Sequence, residues 1–90
     1  MNNTRRKQIA ALRDQIAKAE ELMAEICETL ETIKDEEQES FDNLPESFQE
    51  GDRGQRMQEA IDALDTAYDS LTNSKDELDS ALEQLEEAAQ

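Results

Sequence analysis

Residues 9–33 read IAALRDQIAKAEELMAEICETLETI, and residues 57–89 read MQEAIDALDTAYDSLTNSKDELDSALEQLEEAA. In the first stretch Ile9, Leu12, Ile16, Ala19, Met23, Ile26, Leu30 and Ile33 recur at alternating steps of three and four. In the second, Met57, Ile61, Leu64, Tyr68, Leu71, Lys75, Leu78, Leu82, Leu85 and Ala89 recur at steps of four and three, and Lys75 alone breaks the apolar series. An apolar period of 3.5 residues held over about four heptads is the seam of a coiled coil. Two such stretches of similar length flank a short break. They predict an all-α fold, an antiparallel two-helix coiled-coil hairpin.

Composition sets the scale. Ninety residues make a single domain, residues 1–90. Phe41, Phe48 and Tyr68 are the only aromatics, and Trp and His are absent. The core is therefore a thin seam of Leu, Ile, Met and Ala. A net charge of −15 repels nucleic acid and anionic membrane and attracts basic surfaces. It predicts no direct nucleic-acid binding and no membrane partner. The apolar runs are too short to span a bilayer. Arg5, Arg6 and Lys7 precede no apolar segment, so no secretory signal is expected. Cys27 is the only cysteine, which fits a reducing cytoplasm and a small apolar role at the edge of the seam.

The expected boundaries are a helix over about 5–42, a tip over 43–52 and a helix over about 53–88. Thr4 is the expected N-cap of the first helix. Pro45 disfavours helix at Leu44 and suits the start of a short helical turn through Gln49. Gly51 is expected to close that turn. Asp52 with Gln55 reads as a capping box for the second helix. Gly54 implies either fraying or close packing in its first turn. Phe41, Leu44 and Phe48 are expected to gather at the tip.

Charge placement points to the same pairing of helices. Residues 1–19 carry five bases against Asp14, and residues 70–90 carry six acids against Lys75. Each end opposes its own helix dipole, so an antiparallel arrangement lets the two ends neutralise each other. The surplus falls in residues 20–69, with 17 acids and 3 bases. Asp14, Glu21, Glu28, Asp35 and Asp42 form an outer acidic row on the first helix. Asp62, Asp65, Asp69, Asp76, Asp79, Glu83 and Glu86 form a second row beside the later seam. Their axial spacing of roughly 4.5–6 Å approaches that of strand phosphates. The row reads either as a nucleic-acid mimic or as a plain solvated face. Asp62, Asp65 and Asp69 are its candidate partner-binding residues, and Leu44, Pro45 and Phe48 are those of the tip.

Ala60, Ala67, Ser74, Ala81 and Ala88 place a small residue at every seventh position beside the second seam. This stripe predicts a homodimer that completes a four-helix bundle. Lys75 is expected opposite Ala19 and Glu20, either pairing with Glu20 or carrying its charge out to water.

Catalytic and cofactor chemistry have little support. Glu25-x-x-Glu28, Glu28-x-x-Glu31 and Glu83-x-x-Glu86 fall off the seam, where Glu37 is the one acid, and no His completes a metal site. Without His no Ser–His or Cys–His pair forms. There is no Gly-rich phosphate loop and no EF-hand loop. The expectation is no catalytic residue, no metal and no cofactor.

The tip and its flanks, through Asn43-Leu44-Pro45-Glu46-Ser47, Arg53-Gly54 and Ala60-Ile61-x-x-Leu64, resemble a family of small acidic helical proteins of unknown function. Phages and mobile elements of Gram-positive bacteria encode that family. The resemblance covers about 40 residues and implies a phage or prophage setting. The secreted helical hairpins with a Trp-x-Gly turn do not fit, because that turn is missing and Thr72 stands four residues after Tyr68, where their export pattern has an acid. The expected function is a non-enzymatic accessory protein that binds a basic surface of a host or phage protein. Anti-restriction or anti-defence action is its sharpest form. The alternative is a homo-oligomeric scaffold with no inhibitory target.

Overall fold

A computed structural model describes all residues from Met1 to Gln90. Helix α1 spans Asn3–Asp42, the short α2 spans Glu46–Gln49 and α3 spans Asp52–Ala88. No strand forms. The helices α1 and α3 pack against each other along a rod of 68 × 15 × 13 Å. Arg6 meets Ala89, Arg13 meets Glu86 and Lys34 meets Asp65. The two long helices therefore run in opposite directions.

The ends differ in detail from the expected ones. Asn2, not Thr4, caps α1: its backbone is extended and its Oδ1 accepts from Arg5 N at 2.8 Å. Both residues are short and polar, and the chain takes the earlier one, gaining about half a turn of helix. Gly51 is the N-cap of α3 rather than the close of the tip turn, which ends at Glu50. Asp52 lies inside α3, and no side chain caps that helix, so the Asp52–Gln55 capping box does not form.

The tip is held by two residues acting on one another. The last carbonyls of α1 lack helical partners. Gln49 adds a donor here: its Nε2 donates to Phe41 O at 3.1 Å, to Leu44 O in the turn beyond the helix at 3.2 Å, and more weakly to Asp42 O at 3.5 Å. To reach that point, Gln49 must lie against the start of α3. Gly54 allows this. It is one of two buried residues, the other being Ile61. A Cβ on Gly54 would stand 2.1 Å from Gln49 O and 2.5 Å from its carbonyl carbon. Close packing, not fraying, explains this glycine. Phe41 and Leu44 are half-buried here, but Phe48 is 53% exposed and does not plug the seam.

The α3 seam follows the sequence pattern at every position. Met57, Ile61, Leu64, Tyr68, Leu71, Lys75, Leu78, Leu82, Leu85 and Ala89 are all buried or half-buried. The α1 seam does not. Ile9, Ile16, Met23 and Leu30 face inward with Glu37, but the other inward row is Arg13, Glu20, Cys27, Lys34 and Phe41. Leu12, Ala19, Ile26 and Ile33 are exposed instead. On a helix wheel Arg13 lies about 40° to one side of the Ile9 row and Leu12 about 60° to the other. The structure rotates α1 toward its charged side. One helix can cover only one flank of this broad apolar band, and α3 covers the flank that carries Arg13 and Lys34. Glu37 consequently is not the only acid at the seam; Glu20 shares it.

Gly54→Ala separates packing from helix propensity. Propensity alone would stabilise an exposed helix by about 1 kcal/mol. The contact with the Gln49 backbone predicts the opposite sign, a loss of about 1–3 kcal/mol. Urea unfolding followed by circular dichroism measures which sign holds.

Candidate interaction surfaces

The rotation of α1 creates a charged flank along one side of the seam. Arg13 Nη2 lies 3.7 Å from Glu86 Oε2. One heptad on, Glu20 reaches Asp79. Two heptads further, Lys34 Nζ forms a hydrogen-bonded ion pair with Asp65. Each step of seven up α1 is a step of seven down α3. Arg6 extends the contact beyond Arg13, with Nε donating to Ala89 O at 3.0 Å. It thereby covers a carbonyl at the negative end of α3, which has no base in its last turn. The two open ends do meet, as their opposite charges require.

The middle of the ladder is a mismatch. Glu20 faces a second acid, and its carboxyl is held above its ordinary pKa. The shared hydrogen bond with Asp79 is the main cause, followed by loss of solvent and by repulsion from the Asp79 charge. Lys75 acts in the opposite direction. It is half-buried on α3 and forms no ion pair within 4 Å, so of the two arrangements open to it the Lys75–Glu20 bridge does not form, and a longer-range attraction to Glu20 remains. The Lys34 ammonium is shifted up, first by its hydrogen bond to Asp65 and then, against desolvation, by the charges of Asp65, Asp35 and Glu31.

The remaining acids are largely without partners. Arg13–Glu86 and Lys34–Asp65 are the two ion pairs of the chain. Asp14–Lys18 and Lys75–Asp79, spaced for contact along one helix, form none. The outer row Asp14, Glu21, Glu28, Asp35 and Asp42 is exposed, with Asp42 accepting from Gln38 Nε2 at 3.0 Å. Asp62, Asp65 and Asp69 are exposed, with Asp65 engaged by Lys34 and the other two unpaired. Asp62 also borders a shallow hollow with Gln38, Phe41, Gln58 and Ile61. At the tip, Pro45 and Phe48 are exposed beside half-buried Leu44. Of the small stripe, Ala60, Ala67, Ser74 and Ala88 are exposed and Ala81 is half-buried.

Sequence reasoning missed Arg13 and Lys34 as inward-facing residues, and it placed Glu20 opposite Lys75 without its contact to Asp79. The available signal was their own spacing, seven residues apart or a multiple of it, matched by Glu86, Asp79 and Asp65. Cys27 continues the same row and lines a hollow with Tyr68, Thr72 and Lys75 of α3. It is a half-buried free thiol. No group of His, Cys, Asp and Glu is arranged to hold a metal ion. No helix is long and apolar enough to cross a membrane.

The Glu20–Asp79 contact predicts a pH dependence. A carboxyl whose folded pKa exceeds its unfolded value adds stability fully below the unfolded value, and loses that contribution as pH rises through the folded one. The chain should therefore gain thermal stability when pH falls from neutrality into the range where Glu20 protonates. Glu20→Gln keeps a hydrogen-bond donor for Asp79 without the second charge. Its melting temperature at neutral pH should exceed that of the native chain, and the difference should close on acidification. A variant less stable than the native chain at neutral pH would contradict this.

Comparison with known proteins finds no matching family model, no matching curated protein and no matching solved structure.

Proposed function

We propose that this chain is a non-enzymatic accessory protein of a phage or prophage, acting in the bacterial cytoplasm. In this reading it works as an antiparallel coiled-coil hairpin, dimerised into a four-helix bundle, that captures a basic surface on a host or phage protein. The observation that supports it most is the uncompensated charge of residues 20–69. Seventeen acids stand there against Lys34, Arg53 and Arg56, and Lys34 alone of the three makes an ion pair. A folded rod with this density of unpaired carboxylates carries self-repulsion that a basic partner relieves. Masking a nucleic-acid-binding surface, as an anti-restriction or anti-defence protein does, is the sharpest form of the reading. The resemblance of the tip to phage-encoded acidic proteins is the reason for proposing that setting.

A homo-oligomeric scaffold with no inhibitory target is the second reading. The exposed apolar row of α1 favours it. The two differ in salt dependence. Capture of a basic protein weakens steeply as ionic strength rises, whereas apolar self-assembly does not.

The test is a pull-down from host lysate washed at low and at high salt, followed by variants. Asp65 also holds Lys34, so Asp62→Asn with Asp69→Asn removes two free charges and spares the interhelical pair. Exposed charges contribute about 0.2–1 kcal/mol each. Affinity for a captured partner should fall about 2- to 30-fold at low salt and converge with the native value at high salt. Unchanged affinity would move the contact to Leu44, Pro45 and Phe48 at the tip. Capture that survives in both cases, or no salt-sensitive capture at all, would leave the scaffold reading.

A further inference from the structure

We infer that the flank of the rod opposite its charged ladder binds a second copy of this chain, with the two α1 helices antiparallel about a two-fold axis near Leu22 and Ile26. The inference deepens the proposed dimer and does not depend on the proposed basic partner.

The flank is apolar and uncovered. Leu12, Leu22, Ile26 and Ile33 are 47%, 57%, 43% and 47% exposed. The depression around Ile26 is lined by Leu22, Glu25, Ile26, Thr29, Leu30 and Ile33, all from α1, so α3 gives it no shelter. The exposed residues have a period of their own. Leu12, Gln15, Ala19, Leu22, Ile26, Thr29 and Ile33 follow alternating steps of three and four. This is a second coiled-coil seam beside the one that α3 fills, and its occupant is a helix. On α3, the Ala60 and Ala67 row lies on the side of the seam away from Asp65 and Glu86, which puts it on this same flank. Small residues there leave room for the incoming helix.

Surface area points to a second copy. The chain exposes 6751 Å², whereas a globular monomer of 10.2 kDa exposes about 5,300 Å². The excess is larger than the roughly 800 Å² that each partner gives to a standard interface. The α1 of another copy carries the identical seam, so the surface is self-complementary, as a two-fold contact requires. Charge selects the direction. Arg6 and Arg13 already meet α3 on the other side, but Arg5, Lys7 and Lys18 stand free in the early part of α1 against Asp14, and Asp35, Glu36, Glu39 and Asp42 stand in its last three turns. Antiparallel packing lays base on acid, and parallel packing lays like on like.

Sedimentation equilibrium at about 50 µM should give the mass of a dimer. Leu22→Gln with Ile26→Gln changes side chains already in solvent, and should weaken dimerisation at least about tenfold, equivalent to ~1.4 kcal/mol. Asp62→Asn with Asp69→Asn should leave the dimer intact. A spin label at Ala11→Cys, on a Cys27→Ser background, keeps the apolar row untouched. It should report a label separation of roughly 40 Å by helix rise. A monomer mass for the native chain overturns both the dimer and this inference. A dimer that ignores the Leu22 and Ile26 changes, with helicity retained, overturns this face while leaving dimerisation standing. A label separation below roughly 20 Å overturns the antiparallel order. If the double variant loses helicity, the label distance on the otherwise native chain still decides.

Discussion

The structure depends on how far one helix can cover another. The apolar band of α1 includes the Ile9 row, the Leu12 row and Leu22, which is more than α3 can shelter. α3 takes the Ile9 row and the charged side, leaving Leu12, Ile26 and Ile33 outside. Magnitudes show why this matters. An exposed ion pair such as Arg13–Glu86 contributes about 0–1 kcal/mol. Full burial of one Leu or Ile side chain contributes about 1.5–3 kcal/mol. Two ion pairs therefore do not outweigh three large side chains left in water. The orientation of α1 makes energetic sense when the outer row is also buried, which a lone two-helix rod cannot do.

That same limit makes the remaining contacts important. With Ile61 as the only buried apolar residue, a thin seam gives marginal stability. The tip contributes by joining α1, α2 and α3 through backbone. Gln49 closes the end of α1, and Gly54 lets it approach. The open end contributes through Arg6 and Arg13, which meet the carbonyl end and the acids of α3. Between them lies Glu20 against Asp79, the one step of the ladder at which folding brings like charges together. A chain with so little core retains an unfavourable contact there, and its two charges relax only when one is protonated.

The sequence showed the α3 seam at every position, because its heptad has one apolar face and one acceptable rotation. It showed α1 only in part. A period of 3.5 identifies a seam, but the rows on either side of Ile9 both satisfy it. Choosing between Leu12 and Arg13 requires knowing that Glu86 and Asp65 wait on the other helix. The helix caps failed for a local reason: Asn2 and Thr4 are near-equivalent N-caps, and Gly51 suits either side of the α2–α3 joint. The tip failed for a non-local one. Gln49 is an ordinary polar residue until the chain reverses and sets its amide over the carbonyls of Phe41 and Leu44. Gly54 carried a legible hint, since an unforced glycine in a helix costs about 1 kcal/mol and close approach offsets that cost. The candidate acidic row was legible as composition, but the diversion of Asp65 to Lys34 was not.

The two surfaces of the rod are geometrically compatible. The charged ladder and the row of Asp62, Asp65 and Asp69 lie on one side of the seam, and the second apolar seam of α1 lies on the other. A second copy docked on the apolar flank would leave the acidic flank of each α3 facing outward. Association would then concentrate charge rather than hide it, because two rods of net −15 would share one body. Their mutual repulsion is largely screened beyond about 8–10 Å at physiological salt, whereas the apolar contact is not. Dimerisation should therefore strengthen with salt, while capture of a basic partner should weaken. Opposite salt responses at opposite faces are what a device needs if one face builds the body and the other does the binding.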